Sequence, residues 1–213
     1  MNDKRKMART ATNKQDLRSE ATRQRLVAAA RTLFAERGYA GVGTEEIVQA
    51  AGVTRGALYH QFRDKADLFA AVAEGAQAEV AHQITSGAES DGPVDPMTAL
   101  YAGVRRFLEA CADPAVERIL LLDGPAVLGW QAWRDLADSY GLGLLQHGLQ
   151  TAMNTGAITP QPVAPLAHAL IGALDECALY VARAADPAAA RQQCTAVLEQ
   201  LLDGLTPHGA KRA

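Results

Sequence analysis

Long apolar runs are missing from this chain of 213 residues. Its most apolar stretch, LIGALDECALYVA, contains Asp175 and Glu176, and no segment approaches the roughly 18 uninterrupted apolar residues of a membrane-spanning helix. The charged N-terminus, MNDKRKMART, has no apolar centre of the kind found in signal peptides. We therefore expect a soluble cytoplasmic protein that makes no contact with a membrane.

Cysteines are few and catalytic motifs are absent. The three cysteines, Cys111, Cys177 and Cys194, are far apart and form no CxxC pair, which suits a reducing cytoplasm. The chain contains no HExxH, P-loop or GxSxG sequence. His168 and Asp175 share a helical face, but they are two turns apart, too far for a direct hydrogen bond. These absences predict a protein that is not an enzyme and that holds neither a metal nor a cofactor.

Strand-like alternation of polar and apolar residues is also absent, whereas apolar residues at helical spacing run through almost the whole chain. Glycines such as Gly38 and Gly52, and capping pairs such as Asp113 and Pro114, divide this pattern into segments. The pattern predicts an all-α protein of about nine helices. The predicted helices cover residues 19–37, 44–51, 54–62, 64–85, 97–111, 113–124, 126–156, 163–185 and 187–205.

Positive charge is concentrated in the first third of the chain. Residues 1–70 hold 13 Lys and Arg against 8 Asp and Glu, whereas residues 71–213 hold 8 against 16. A basic end on an acidic body is typical of a protein that binds a polyanion through that end. Uneven solvation of the two parts would give the same imbalance, so charge alone leaves both interpretations open.

The stretch TRGALYHQFRDKADLF, residues 54–69, carries many hydrogen-bond donors for a chain so rich in alanine. The preceding AGVT joins two short predicted helices in a helix-turn-helix arrangement, whose second helix enters the DNA major groove. Gly56 costs that helix about 1 kcal/mol relative to alanine, and close approach of its backbone to DNA would explain the glycine.

Donors at suitable reach complete the expected DNA interface. Arg55 is placed to bind a guanine edge, while Lys65 and Thr44 lie where helices begin and phosphates bind. An ordinary surface helix would explain each residue separately, but not the whole set in this register. The residues expected to contact DNA are Thr44, Thr54, Arg55, Gly56, Ala57, Tyr59, His60, Gln61 and Lys65.

The longer stretch TEEIVQAAGVTRGALYHQFRDKADLF, residues 44–69, resembles the N-terminal DNA-binding domain of TetR-family transcriptional regulators. The resemblance as a whole covers residues 21–69. The resemblance implies a three-helix DNA-binding domain followed by a larger helical domain for ligand binding and dimerisation. One departure is Gln61, since the family usually has histidine before this phenylalanine. The resemblance also implies a repressor that a small effector releases from a palindromic, double-stranded operator. Control by a protein partner, action without a ligand, and activation instead of repression remain open alternatives.

The expected domain organisation combines this resemblance with the predicted helices. The successive parts are a disordered basic arm (1–18), the helix-turn-helix domain (19–63), a connecting helix (64–86), an effector-binding and dimerisation domain (87–205) and a tail (206–213). The loop-like stretch SGAESDGPVDP, residues 86–96, is the best candidate for a domain junction.

The predicted helix over residues 126–156 has an apolar stripe with a few polar tips, a common lining of effector pockets. Its aromatic side chains point to a lipophilic or aromatic effector, although a core helix with one satisfied histidine would show the same pattern. The expected pocket residues are Tyr101, Asp123, Trp130, Trp133, Tyr140 and His147.

Small residues and leucines lie at close spacing on the last two predicted helices, which suits tight helix–helix packing. In TetR-like proteins the corresponding pair forms a four-helix bundle across a two-fold axis, which implies a homodimer here. The expected interface residues are Leu170, Ala173, Leu174, Cys177, Val181, Val197, Leu198 and Leu201.

Overall fold

The computed structural model describes residues 2–86 and 95–207, with side chains from Leu17 onward. These residues form nine helices and no strand, so the predicted all-α fold is confirmed. The helices are α1 (Asn2–Arg37), α2 (Thr44–Ala51), α3 (Arg55–Gln61), α4 (Lys65–Ser86), α5 (Pro96–Ala110), α6 (Pro114–Val116, the π-helical Glu117–Asp123 and Gly124–Leu128), α7 (Trp130–Asn154), α8 (Val163–Ala182) and α9 (Pro187–Asp203).

The chain divides into two compact units, unit 1 (Met1–Ala73) and unit 2 (Glu74–Ala213). Their boundary lies inside α4 and not in the predicted junction 86–96, of which residues 87–94 are outside the described part of the chain. The physical reason is that α4 buries side chains in both halves, among them Phe69 before the boundary and Val80 after it.

The N-terminal helix is longer than expected. We expected a disordered arm over residues 1–18, but α1 begins at Asn2 and continues without interruption to Arg37. Residues 2–37 contain neither glycine nor proline and are rich in alanine, arginine and lysine, all good helix formers. Helical propensity therefore extends α1 beyond the part with apolar periodicity, which the prediction used alone. Gly38, with φ of 72°, ends α1 as predicted.

An aromatic cluster forms the centre of unit 1. The rings of Phe34 and Phe69 are 5.4 Å apart, and Tyr39 lies within 5.7 Å of both. The spacing of one helical turn between Leu58 and Phe62 predicts that both face the core, and they are 0% and 2% exposed. Because α1 packs against both α2 and α3, this core fixes the two short helices against one support.

The predicted helix over residues 126–156 is interrupted. Gly129 adopts φ 81° and ψ 154°, a conformation open almost only to glycine, and it separates α6 from α7. Just after this break, Trp133 is buried and its indole Nε1 donates to the carbonyl oxygen of Leu120 at 2.7 Å. A Cβ added to Gly124 would lie 3.0 Å from Trp133 Cδ1. Trp133 therefore anchors α7 against α6.

The helices α5, α7, α8 and α9 pack together in unit 2. Helix α8 contacts α7 on one side and α9 on the other, and it ends at Ala182, slightly before the predicted residue 185. Among the described residues, α8 alone is long and apolar enough to cross a membrane by length and composition. Core helices of water-soluble bundles also pass this test, and Asp175 at its middle is ion-paired with Arg134.

Candidate nucleic-acid interface and effector cavity

The threonine at the start of α2 predicts an N-cap at Thr44, but the cap lies one residue earlier. Gly43, not Thr44, is the N-cap, and its backbone N–H donates to Glu46 Oε2 at 2.8 Å. The Arg37 guanidinium binds the same carboxylate at 2.7 Å, and this bond, together with the one from the Gly43 N–H, lowers the pKa of Glu46 to about 2. Thr44 is therefore the first helical residue of α2, half-buried, with its backbone N–H at the open end of the helix.

The turn between α2 and α3 has the backbone that its sequence predicts. Gly52 caps α2 in the left-handed region with φ of 60°, a conformation that favours glycine, and Arg25 donates to its carbonyl oxygen at 2.9 Å. Thr54 then caps α3, because its hydroxyl oxygen accepts from the Ala57 N–H at 3.2 Å. The end of α2 and the start of α3 are thus both capped at the turn.

The outer face of α3 is formed by residues that the sequence singled out. Thr54, Arg55, Gly56, Tyr59 and His60 are all exposed, and Ala57 is half-buried beside them. The Arg55 guanidinium lies 3.3 Å from Glu45 and 5.7 Å from the Tyr59 ring centre. An exposed ion pair of this kind contributes little to stability, so Arg55 can exchange it for another acceptor.

Gly56 has no structural role within unit 1. It does not have a positive φ, and a Cβ added to it would meet only Thr54 Oγ1, at 3.9 Å. Gly52, by contrast, is required by its own backbone conformation. The chain therefore carries a helix-weakening glycine on an exposed face without an internal reason.

Two residues expected at the DNA interface form hydrogen bonds that hold unit 1 together. Gln61 Nε2 donates to the Ser19 hydroxyl oxygen of α1 at 2.7 Å. Lys65 Nζ donates to the carbonyl oxygens of Tyr39 and Val42, each at 2.9 Å, and lies 3.9 Å from the Tyr39 ring centre. Their side chains fix α3 and the loop between α1 and α2, and their contacts with DNA stay a prediction. Spacing alone could not reveal such distant partners.

Unit 2 contains an apolar cavity of about 190 Å³ among its described residues, and this cavity is partly open to solvent. An apolar cavity of about 150 Å³ is large enough to bind benzene, so this cavity can hold a small organic molecule. The second half of α4 and helices α5, α7, α8 and α9 all contribute to it. Its larger apolar side chains are Val80, Ile84, Leu100, Val104, Phe107, Leu144, Leu145, Leu170, Ile171, Leu174, Leu198 and Leu202.

None of the six residues expected in the effector pocket lines this cavity. Trp133 is hydrogen-bonded to α6, Trp130 is 62% exposed at the start of α7, and His147 is exposed on the same helix. The remaining three also lie elsewhere. Asp123 pairs with Arg118, the Tyr101 hydroxyl is hydrogen-bonded to Asp203, and Tyr140 is half-buried outside the lining.

The cavity could have been found from other helical faces. Gln77, Val80, Ala81 and Ile84 of α4 follow the i, i+3, i+4, i+7 spacing of one face, and Leu100, Gly103, Val104 and Phe107 of α5 repeat it. On α7 the pocket was predicted from the aromatic stripe. The residues of α7 that line the cavity are instead Ala137, Gly141, Leu144, Leu145 and Gly148. Small residues leave the space that a ligand needs, and they give a weaker signal than aromatic ones.

An ionic cluster lies at one wall of the cavity. The Arg134 guanidinium forms a hydrogen-bonded ion pair with Asp175, and its Nε is 3.9 Å from Asp138 Oδ1. Burial raises the pKa of Asp175 to about 6, Arg134 opposes this rise and Asp138 adds to it. The neighbouring thiol of Cys111 is buried, and its pKa is raised to about 12. Asp175 therefore has its ion-pair partner inside the helical bundle.

The expected dimer interface is only partly exposed. Val197 and Leu201 of α9 are 52% and 48% exposed, and Ala173 and Cys177 of α8 are half-buried. Four of the expected residues pack within the chain itself, and their place in a dimer interface stays a prediction. Val181 and Leu198 are buried in the bundle, and Leu170, Leu174 and Leu198 line the cavity. Tyr180, which follows Cys177 at i+3 on α8, is also 57% exposed.

Among the described residues no group of three His, Cys, Asp or Glu side chains could hold a metal ion. The two candidate sites are an exposed helix face in unit 1 and, separately, a ligand-sized cavity in unit 2.

Two family models cover most of the chain. Residues 26–72 match the one described as bacterial regulatory proteins, tetR family, and residues 97–205, about half of the chain, match the tetracyclin repressor-like C-terminal domain. The chain belongs to the TetR family. Its members are transcriptional regulators, so this TetR-family protein is a regulator and not an enzyme.

Known TetR-family proteins resemble this chain to different extents. The crystal structure of a TetR-family transcriptional regulator from Pectobacterium atrosepticum is 35% identical, has a TM-score of 0.80, and covers 89% of this chain and 96% of that one. The fold is shared with the structure of RolR in complex with the ligand resorcinol, which is 23% identical and has a TM-score of 0.66. That match covers 91% of this chain and 98% of RolR.

Sequence similarity to a curated regulator is limited to part of its length. The HTH-type transcriptional regulator AcrR of Shigella flexneri is 32% identical over 103 residues, which are 48% of this chain and 47% of AcrR. This chain thus spans about half the length of the curated relatives it matches.

Proposed function

We propose that this protein is a cytoplasmic repressor that binds a two-fold symmetric operator as a homodimer and leaves it when a lipophilic molecule fills the cavity. The observation that carries the proposal is the apolar cavity of about 190 Å³ in unit 2. Apolar walls with few polar groups are typical of small-molecule sites. RolR, which shares the fold, has been seen with the ligand resorcinol, a small aromatic molecule.

The DNA-binding part of the proposal rests on the outer face of α3. Arg55 and His60 supply donors, and Gly56 lets the backbone of the helix approach the groove. Thr44 and Lys65 can still offer their backbone N–H groups to phosphates, because each lies in the first turn of a helix. One such helix reads few base pairs, so two copies and an inverted repeat are expected.

Helix α4 is the element through which we expect the two functions to be coupled. It begins at Lys65 in unit 1, and its second half supplies Gln77, Val80, Ala81 and Ile84 to the cavity wall. A ligand can change DNA occupancy only if it prefers a conformation in which that helix has moved. A hundredfold loss of occupancy requires a difference of about 2.7 kcal/mol between the two forms, an ordinary coupling energy.

Selection from a random duplex library tests the DNA-reading part of the proposal. Wild-type protein should enrich an inverted repeat, and Arg55→Ala should lose about 1–3 kcal/mol of binding to it while binding scrambled DNA almost unchanged. Arg63→Ala is the matched control, since Arg63 is exposed just beyond α3 and pairs with Asp67. Failure to enrich any sequence, or equal losses on both DNAs for Arg55→Ala, would contradict sequence reading by α3.

The exposed apolar side chains of α8 and α9 are the expected dimer face. Tyr180, Val197 and Leu201 are each about half exposed, although large apolar side chains are usually covered. A second copy of the chain would bury them in the bundle that the family resemblance implies.

Leu201→Glu should convert the dimer into a monomer, because the dimer would bury the charge of the glutamate. The single chain should stay folded, because there the glutamate remains in water. Gln192→Glu is the control, since Gln192 is exposed on the opposite side of α9. Sedimentation velocity of both variants at micromolar concentration gives the answer. A dimeric Leu201→Glu, or a wild-type monomer, would place the interface elsewhere or remove it.

A further inference from the structure

The cavity of unit 2 has an ionisable side chain at only one point. Among the twenty described residues that line it, Asp175 alone can ionise, and Gln77 is the other one with a polar side chain. Asp175 is 8% exposed and belongs to the cavity lining, so it is the acidic residue against which a bound ligand would pack. A ligand that fills the apolar walls must therefore present some group to this carboxylate.

The ionic cluster beside the cavity has an excess of negative charge. One guanidinium, that of Arg134, serves the carboxylates of both Asp175 and Asp138. Asp138 Oδ1 is buried and has no hydrogen-bond partner among the described residues. These three side chains carry a net charge of about −1 when both carboxyls are ionised, in a place where water does not screen it well. The neighbouring Cys111 is a neutral thiol and does not offset this charge.

We propose that the effector of this protein is an apolar molecule with a single protonated amine, and that its ammonium group lies beside Asp175. The proposal rests on the cavity being the effector site. An ammonium group supplies the missing positive charge together with several donors, and hydrogen bonds between ionised groups are about twice as strong as neutral ones. An alcohol supplies one donor and no charge. A carboxylate would add a third negative charge to the cluster and leave its own oxygens unpaired.

Three ligands with the same tail isolate the contribution of the head group. n-Octylamine, 1-octanol and octanoate are titrated into the full chain at pH 8 by calorimetry, where the amine is protonated and octanoate is ionised. Octylamine should bind about tenfold tighter than 1-octanol, which corresponds to about 1.4 kcal/mol, and octanoate should bind weakest. The same order should appear in the concentrations that release the selected operator.

Two isosteric variants assign the preference to Asp175. Asp175→Asn should remove the tenfold preference for the amine, whereas Glu176→Gln should retain it, because Glu176 is the exposed neighbour on the same helix. If Asp175→Asn fails to fold by circular dichroism, Asp138→Asn serves instead. In this variant Arg134 has Asp175 as its only carboxylate partner in the cluster, so the excess negative charge is removed. The preference for octylamine over 1-octanol should therefore also fall.

The outcomes separate this inference from the proposed function. Equal affinities for octylamine and 1-octanol, or a preference that survives Asp175→Asn, would overturn the inference while leaving the cavity as a ligand site. Tightest binding by octanoate would overturn it as well. If none of the three ligands binds, both the inference and the ligand-release part of the proposed function fail.

Discussion

Gly56→Ala is expected to stabilise unit 1 and to weaken operator binding at the same time. In the free protein the added methyl group meets nothing closer than Thr54 Oγ1, at 3.9 Å, and the backbone of Gly56 needs no positive φ. Replacing a helical glycine by alanine then gains up to about 1 kcal/mol of folding stability. On DNA the methyl group would occupy space that we assign to the groove, at a cost of about 1–3 kcal/mol, as for other overpacked contacts.

Gly75→Ala is the matched control for this prediction. Gly75 is exposed in the middle of α4, and a Cβ added there meets no atom within 4 Å. The two variants should gain similar stability in urea unfolding, but only Gly56→Ala should lose affinity for the selected operator in fluorescence anisotropy. Unchanged operator affinity in Gly56→Ala would mean that the α3 backbone does not approach DNA closely. A destabilised Gly56→Ala would instead reveal an internal reason for the glycine.

Gly103→Leu is expected to abolish ligand binding while leaving the fold intact. Gly103 lines the cavity from α5, and a Cβ built on it meets no atom within 4 Å, so a leucine side chain has open space to enter. Leucine also favours the helix by nearly 1 kcal/mol over glycine. A filled cavity should raise the melting temperature and reduce the affinity for 1-octanol on the order of a hundredfold, or about 2.7 kcal/mol.

The same substitution at Gly143 provides the control. Gly143 is exposed on α7 and does not line the cavity, and its Cβ position is likewise open. Gly143→Leu should gain helix stability and keep the affinity of wild-type protein for 1-octanol in calorimetry. If Gly103→Leu binds 1-octanol as well as wild type does, the ligand site lies elsewhere. If Gly103→Leu unfolds at a lower temperature, the open space is needed by the bundle itself.

The local parts of the site were predictable because they depend on neighbouring residues. The turn at Gly52, the Thr54 cap and the buried positions of Leu58 and Phe62 all follow from spacing and capping rules within a few residues. The partners of Gln61 and Lys65 were not predictable. The partner of Gln61 lies 42 residues away on α1, and the partners of Lys65 lie 26 and 23 residues away in the loop after α1. The residues next to a long polar side chain do not indicate which distant group it will bond.

The position of the cavity was even harder to predict from the sequence than the partners of these polar side chains. The tryptophans of α7 gave the strongest signal in the sequence, yet Gly129 ends the preceding helix and Trp133 anchors to Leu120. The cavity instead lies where small residues such as Gly141 fail to fill the space between helices. Empty volume is a property of several helices together, and no single helix displays it.

By itself, the sequence determined the all-α class, the helix-turn-helix and the family, because helical periodicity, caps and one contiguous motif are local. Only the tertiary structure decided where the cavity lies, which polar side chains hold unit 1 together, and that Arg134 of α7 meets Asp175 of α8. Those facts depend on the packing of helices that are distant in sequence. Packing is set by the fit of whole surfaces, and many different sequences satisfy it equally well.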